Sequence, residues 1–338
     1  MRFDYETFAK DRYELCTQTE ASKMTGISEN VIKNIDAGRK VVKYGDENIT
    51  KLCDTLGLNM DKYFKRETTV VVTFSVKGGI GKTVCTGTIG SILATKFNKK
   101  ILLIDCDGGQ ANLSQSLGII YNKDYEEKNI YKAFINQESV GNHILDTLIP
   151  NLKIVAGSID FSLIEPTLPQ LSFKEARFSN ILEDVIKSGE FDEIWIDTPP
   201  ALSLTNNIIL RASDYVLIPF NPDIFSMSGV QNSLDFINQI NEENKISRVN
   251  KKIKILGMFV NKYRKIEKMS SAITEVMNKV YGEYMFKTII PFDTAPSKAI
   301  SENQPLMIKY SNTNVYKAYE KLTKEILDVI EKQSKLNG

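Results

Sequence analysis

Seven consecutive residues, Lys77-Gly78-Gly79-Ile80-Gly81-Lys82-Thr83, carry the chemistry needed to hold a nucleoside polyphosphate. Small residues let backbone N–H groups curl around phosphate oxygens, Lys82 supplies a point charge to the β- and γ-phosphates, and the Thr83 hydroxyl can ligate Mg²⁺. The common loop G-x-x-x-x-G-K-[ST] places a glycine five residues before the second one; here Ser75, Val76 and Lys77 occupy the first part of the loop. Lys77 is a cation that a single phosphate site does not need. Carboxylates follow at Asp105 and Asp107, after the apolar run 101–104, and at Asp197, which precedes Thr198-Pro199-Pro200.

The elements that must position these groups are legible around them. A β-branched stretch over 69–76 leads into the loop, and a helix starting near Lys82 aims its positive end at the same anion. The runs 100–105 and 191–197 read as buried strands, the second stopped by prolines that cannot continue a sheet. Open α/β sheets bind ligands at the carboxyl ends of their strands. The fold expected is therefore α/β, a mainly parallel P-loop sheet with helices on both faces, preceded by a small all-α domain. A further strand over 256–264 ends in Asn261-Lys262-Tyr263-Arg264, which lacks the carboxylate of the guanine motif NKxD, so ATP is the expected nucleotide. Asn261 either contacts adenine or caps its strand end.

KGGIGKT resembles the deviant Walker A motif of the ParA/MinD family of dimeric ATPases. The resemblance implies that Lys77 reaches the nucleotide of the opposite subunit and couples ATP binding to dimer formation, as an arginine finger serves a neighbour's site. It implies that Asp107 orients the hydrolytic water and that Asp197, similar to a Walker B carboxylate, holds Mg²⁺ through water. Two departures stand out: Val84 replaces the second threonine usual in the family loop, and Gly108-Gly109-Gln110 follows Asp107 where ParA proteins usually have Pro-Gln. The segment 289–297, with Gln304-Pro305-Leu306 and Tyr310, is similar to the end of ParA proteins, where a strand, an APS turn and a terminal helix close the nucleotide site. By resemblance, Lys77, Lys82 and Asp107 are the catalytic set. Gly78, Gly79, Ile80, Gly81, Lys82, Thr83, Val84, Asn261 and Pro291 contact the cofactor ATP, and Thr83 and Asp197 hold Mg²⁺.

Residues 1–66 read as a separate helical unit, with the ATPase domain over 67–338. A helix over 17–24, a turn at Gly26-Ile27-Ser28 and a second helix over 29–35 strongly resemble a Cro/XRE-type helix-turn-helix, followed by a helix pair around 49–58. The second helix of such a unit enters the major groove. Ser28, Glu29, Asn30, Lys33 and Asn34 are then the base readers, with Gln18, Arg39, Lys40 and Lys43 near phosphates. A small helical bundle serving dimerisation or a protein partner is the other use of such a unit. Between 245 and 268 lie nine lysines and arginines opposed only by Glu267, an excess suited to phosphate backbones. In the family, basic residues of the carboxyl-terminal half hold nonspecific DNA; Arg264, Lys265, Lys268 and Lys298 are the candidates here.

Bulk composition narrows the class further. The 338 residues are 42% hydrophobic and 25% charged with a net charge of +1, ordinary for a folded protein of about two domains. No apolar run approaches the ~20 residues that span a bilayer, and the first dozen residues lack a signal-peptide core, so a cytoplasmic location is expected. Cys16, Cys53, Cys85 and Cys106 form no CxxC pair, and His143 stands alone, which argues against zinc and against a bridged iron–sulfur centre. The tail over 315–336 mixes acids and bases without Trp or Phe, unlike the lipid-seeking helix of MinD proteins. The resemblance implies an ATP-dependent homodimer on nucleoid DNA, stimulated by a ParB-like partner in replicon partition. The rival reading is a repressor that takes ATP as a ligand without transporting DNA.

Overall fold

The computed structural model describes residues 2–40, 42, 46–65, 68–108, 112–119, 123–249 and 251–336. The chain divides into two compact units, Met1–Thr68 with Ile186–Glu190, and Thr69–Val185 with Phe191–Gly338.

In the first unit β1 (Arg2–Phe3) pairs antiparallel with β2 (Phe64–Lys65), and four helices lie between them: α1 (Tyr5–Leu15), α2 (Gln18–Thr25), α3 (Glu29–Asp36) and α4 (Glu47–Leu56). Local chemistry sets the boundaries. Thr17 and Glu20 form a reciprocal capping box that starts α2, Gly26 ends it at φ +70°, and Ser28 accepts from Val31 N–H to start α3. Phe3, Phe8, Ile32, Ile35, Ile49, Leu52 and Tyr63 form the core. Arg12 is buried with them, neutralised by Asp36 through a two-pronged contact at 3.1 and 2.6 Å. The expected helix pair around 49–58 is one helix, α4, closed by Gly57 at φ +65° and followed by a 3₁₀ turn, Met60–Tyr63.

The second unit holds β3 (Thr69–Thr73), β4 (Ile101–Asp105), β5 (Ile144–Asp146), β6 (Leu152–Val155), β7 (Glu193–Asp197), β8 (Tyr215–Phe220) and β9 (Lys254–Val260). Its helices are α5 (Lys82–Lys96), α6 (Asn112–Ser116), α7 (Lys123–Glu127), α8 (Ile130–Asn136), α9 (Lys174–Ser188), α10 (Leu204–Ala212), α11 (Ser226–Ile246), α12 (Lys268–Tyr281), α13 (Ala295–Ser301), α14 (Leu306–Tyr310) and α15 (Asn314–Leu336). The sheet runs β5-β6-β4-β7-β3-β8-β9, parallel except for the antiparallel edge strand β5. β4, β7 and β8 are buried at every position, so both faces of the sheet are covered, as parallel sheets require. Trp195 fills the centre of β7, its indole N–H donating to Glu193, which also takes Lys99.

Strand register brings the chemistry together. Asp197 stands level with Thr73 on one side and with Asp105 on the other, so the loops after β3, β4 and β7 open at one edge. At the far side, residues 285–292 form no strand, although one is expected at the start of the segment 289–297. They run beside β9 through backbone bonds from Phe286 to Met258, Ile290 to Val260 and Tyr263 to Ile290, with Phe286 lying over Gly257. The Ala295-Pro296-Ser297 segment begins α13 instead of making a free turn, because proline suits the first turn of a helix.

Among the described residues no helix is long and apolar enough to cross a membrane.

Candidate nucleotide site

Gly79 and Gly81 adopt φ +71° and +90°, which only glycine takes without strain, and between them Ile80 is buried, pinning the loop to the core. The loop turns directly into α5, whose first residues are Lys82 and Thr83. Lys82 is buried, with its ammonium 3.4 Å from the Lys77 carbonyl. Burial pulls its pKa down, and the charges of Asp197 and Asp107 oppose that fall. Val84 packs against the hydrophobic core instead of offering a hydroxyl.

Facing the loop are three carboxylates in three environments. Asp197 is fully buried and neither of its oxygens has a well-formed hydrogen bond. Burial and the neighbouring Asp105 push its pKa well above the usual carboxylate range, and Thr83, close by, holds against the rise. A buried, unpartnered carboxylate beside a threonine hydroxyl is an oxygen donor set that suits a hard divalent cation retaining part of its water. Asp105 is structural: it accepts from Ser114 N–H at 3.0 Å and Ser114 Oγ at 2.8 Å, and that hydroxyl also takes Gly157 N–H. Its pKa is pushed up to about 6, chiefly by burial. Asp107 is half-buried at the start of the loop beyond β4; Gly109, Gln110 and Ala111 lie outside the described residues.

Two groups that the sequence does not single out complete the site. Lys262 donates to the Gly79 carbonyl at 2.6 Å. Asp223, after β8, accepts from the Lys77 ammonium at 2.6 and 2.5 Å. Asn261 donates to the Ile80 carbonyl at 2.7 Å and accepts from Lys262 N–H, so its amide clasps the loop and caps its own strand end. Pro291 sits beside Tyr263 in the segment paired to β9.

Arg264 stacks its guanidinium 3.6 Å above the Phe292 ring and, with Asn221, Asp223 and Lys262, lines an open hollow beside the loop. Lys251, in the same basic run, is held by the Ala212 carbonyl and Asp214. Lys265, Lys268 and Lys298 are exposed.

On the helical unit, Ser28, Glu29, Asn30 and Lys33 are exposed at and just after the start of α3, with Asn34 half-buried, opposite the buried Ile32 and Ile35. Gln18 is tied to Tyr13 and Asp36 at 2.9 and 2.7 Å, which spends the amide group expected at a phosphate. Lys40 pairs with Asp46 at 3.3 Å, Arg39 is exposed, and Lys43 lies outside the described residues.

With this geometry in place, known proteins supply a frame. The AAA-domain family matches residues 68–255. An uncharacterized protein of Methanocaldococcus jannaschii is 31% identical over 75% of this chain and 95% of its own length. The chromosome partitioning protein ParA of Caulobacter vibrioides is 25% identical over 74% of this chain and 91% of its own. Among solved structures, an ATP complex of McdA from Cyanothece shares the fold with a TM-score of 0.66 at 21% identity, covering 78% of this chain and 97% of its own. A phosphate loop after β3, aspartates at the ends of β4 and β7, and relatives aligned along most of their length place this chain in the AAA-domain family, among the ParA-type ATPases.

Proposed function

We propose that the protein is a Mg²⁺-dependent ATPase that partitions a plasmid or other replicon, working as an ATP-dependent homodimer on nucleoid DNA in the cytoplasm. The observation that carries the reading is the buried Asp197 carboxylate, which has no well-formed hydrogen bond and stands level with the end of β3 that leads into the loop presenting Lys82 and Thr83. The ParA relative is named for chromosome partitioning and the McdA neighbour holds ATP, which supports the same use here.

In this reading Lys82 and the loop amides hold the phosphates, while Thr83 and Asp197 hold Mg²⁺, which when bound neutralises charge developing on the phosphates. Asp107 orients the attacking water. Lys77 extends to the nucleotide of the second subunit. Catalysis is then positioning and charge stabilisation, so intrinsic turnover is slow until a ParB-like partner and DNA complete the site. Lys265, Lys268 and Lys298 attract DNA backbone without reading sequence, and the α2–α3 unit reads an operator, with autoregulation as its use.

The test is DNA binding by wild type and Lys77→Ala with ATP, ADP or no nucleotide, on random DNA and on the DNA upstream of the gene. Random-DNA binding that needs both ATP and Lys77 supports partition. Binding confined to the upstream sequence, with random DNA ignored in every nucleotide state, supports the repressor reading, which makes the same use of the exposed Glu29, Asn30 and Lys33.

A further inference from the structure

Gly108, next to Asp107, has no room for a side chain. A Cβ there would lie 2.6 Å from Ser162 N and 3.2 Å from Ser158 O, so the backbone of the 3₁₀ turn Ile159–Ile164 abuts the loop that carries Asp107. The next residue after that turn, Glu165, reaches the start of α10. Its carboxylate accepts the N–H groups of Leu204 and Thr205, each at 2.9 Å, and the Thr205 hydroxyl as well. A helix begins with four free N–H groups and a positive end, so an anion that takes two of them fixes that end firmly. Ser203 caps the same helix separately, accepting from Asn206 N–H at 3.1 Å.

One more link closes the path. Asn206 is buried in the first turn of α10, and its amide donates to the carbonyls of Pro199 at 2.9 Å and Ala201 at 2.7 Å. Those carbonyls belong to the turn that follows Asp197. The loop carrying Asp107 and the turn following Asp197 are thus joined by protein alone, through Gly108, the 159–165 segment, Glu165, α10 and Asn206.

We propose that Glu165 is a positioning residue for ATP hydrolysis, setting the Asp107 loop against the turn that follows Asp197. It acts through α10 and the 159–165 segment. The proposal rests on the reading of Asp107 and Asp197 given above.

The experiment compares Glu165→Ala, Glu165→Gln and Ser203→Ala in the full chain by steady-state ATPase, ATP binding and thermal melting. Glu165→Ala is expected to lower kcat about tenfold or more, since small misplacements of reacting groups have effects of that size, while ATP affinity stays within about twofold. Glu165→Gln keeps one acceptor and recovers part of the rate. Ser203→Ala loses a cap of the same helix, melts earlier and keeps the wild-type kcat. Equal kcat in wild type, Glu165→Ala and Ser203→Ala overturns the proposal. Should Glu165→Ala fail to fold, Glu165→Gln and Gly108→Ala carry the test: each lowers kcat, and because both break one path the double variant is no slower than the slower single one. Fully multiplicative losses overturn it. An inactive wild type removes the ATPase reading itself, whereas an active wild type with unaffected variants removes only the role of Glu165.

Discussion

Lys77 is bound at home: its ammonium lies 2.6 and 2.5 Å from the two carboxylate oxygens of Asp223 in the same chain, with the Phe225 ring 5.8 Å away. To reach a second subunit's nucleotide it has to leave that carboxylate. The two side chains are 31% and 40% exposed, so the pair contributes only ~0–1 kcal/mol. Asp223→Ala is therefore expected to lower the protein concentration needed for ATP-dependent dimerisation, by up to about fivefold. Sedimentation with ATP and Mg²⁺ reads this directly, and Lys77→Ala stays monomeric in the same run. A need for more protein in Asp223→Ala would mean that Asp223 supports the dimer.

Binding and hydrolysis separate at Asp107. Trp195, the sole tryptophan, is fully buried two residues before Asp197, so its emission senses the site. Asp107→Ala keeps the ATP-induced fluorescence change and loses on the order of a hundredfold in turnover, as expected when a water-orienting group is removed. Lys82→Ala loses both signals. Normal turnover in Asp107→Ala would remove that residue from the mechanism.

Asp105 makes stability depend on pH. Its folded pKa is raised to about 6 from 3.8, so the folded protein takes up a proton more readily than the unfolded chain. The stability this proton provides is full below about 3.8 and is lost as pH rises through about 6, a difference of about 3 kcal/mol for such a shift. Without nucleotide, Asp105→Asn should melt with a flatter pH profile than wild type between pH 4 and 7. Parallel profiles would show that the Ser114 hydrogen bonds already stabilise the charged form.

In the helical unit, recognition and stability are carried by different residues. Asn30→Ala and Lys33→Ala should each weaken binding to the upstream DNA by about 1–3 kcal/mol while the unit melts as before. Arg12→Ala strands Asp36 beside the core and should destabilise the unit by about 3–5 kcal/mol. Mobility shift and melting curves separate the two effects.

What the sequence discloses here is local. The loop, its glycines and the capping of α2 and α3 follow from neighbours within a few residues, and their types leave few conformations open. Strand ends at Asp105 and Asp197 are marked by composition. Lys262 on Gly79, Asp223 on Lys77 and Glu165 on Thr205 join positions 183, 146 and 40 residues apart. Each looks like an ordinary surface charge until the sheet order brings its partner near. The segment 289–297 misleads for a related reason: Ile289-Ile290 has strand composition, yet Pro291 and the start of α13 leave it only bridge-like pairing with β9.

The pairing of residues 285–292 with β9 bears on how copies of this protein can assemble. An open strand edge is a template for another chain, and both rims of this sheet are blunted. One rim ends in the three-residue antiparallel β5, and at the other the Met258 and Val260 carbonyls accept the N–H groups of Phe286 and Ile290. Growth by adding strands is thereby discouraged, so the homodimer proposed above would form through side-chain surfaces such as the one that carries Lys77. A contact of that kind, made the same way by both copies, closes on itself after two subunits and does not run on into a fibre.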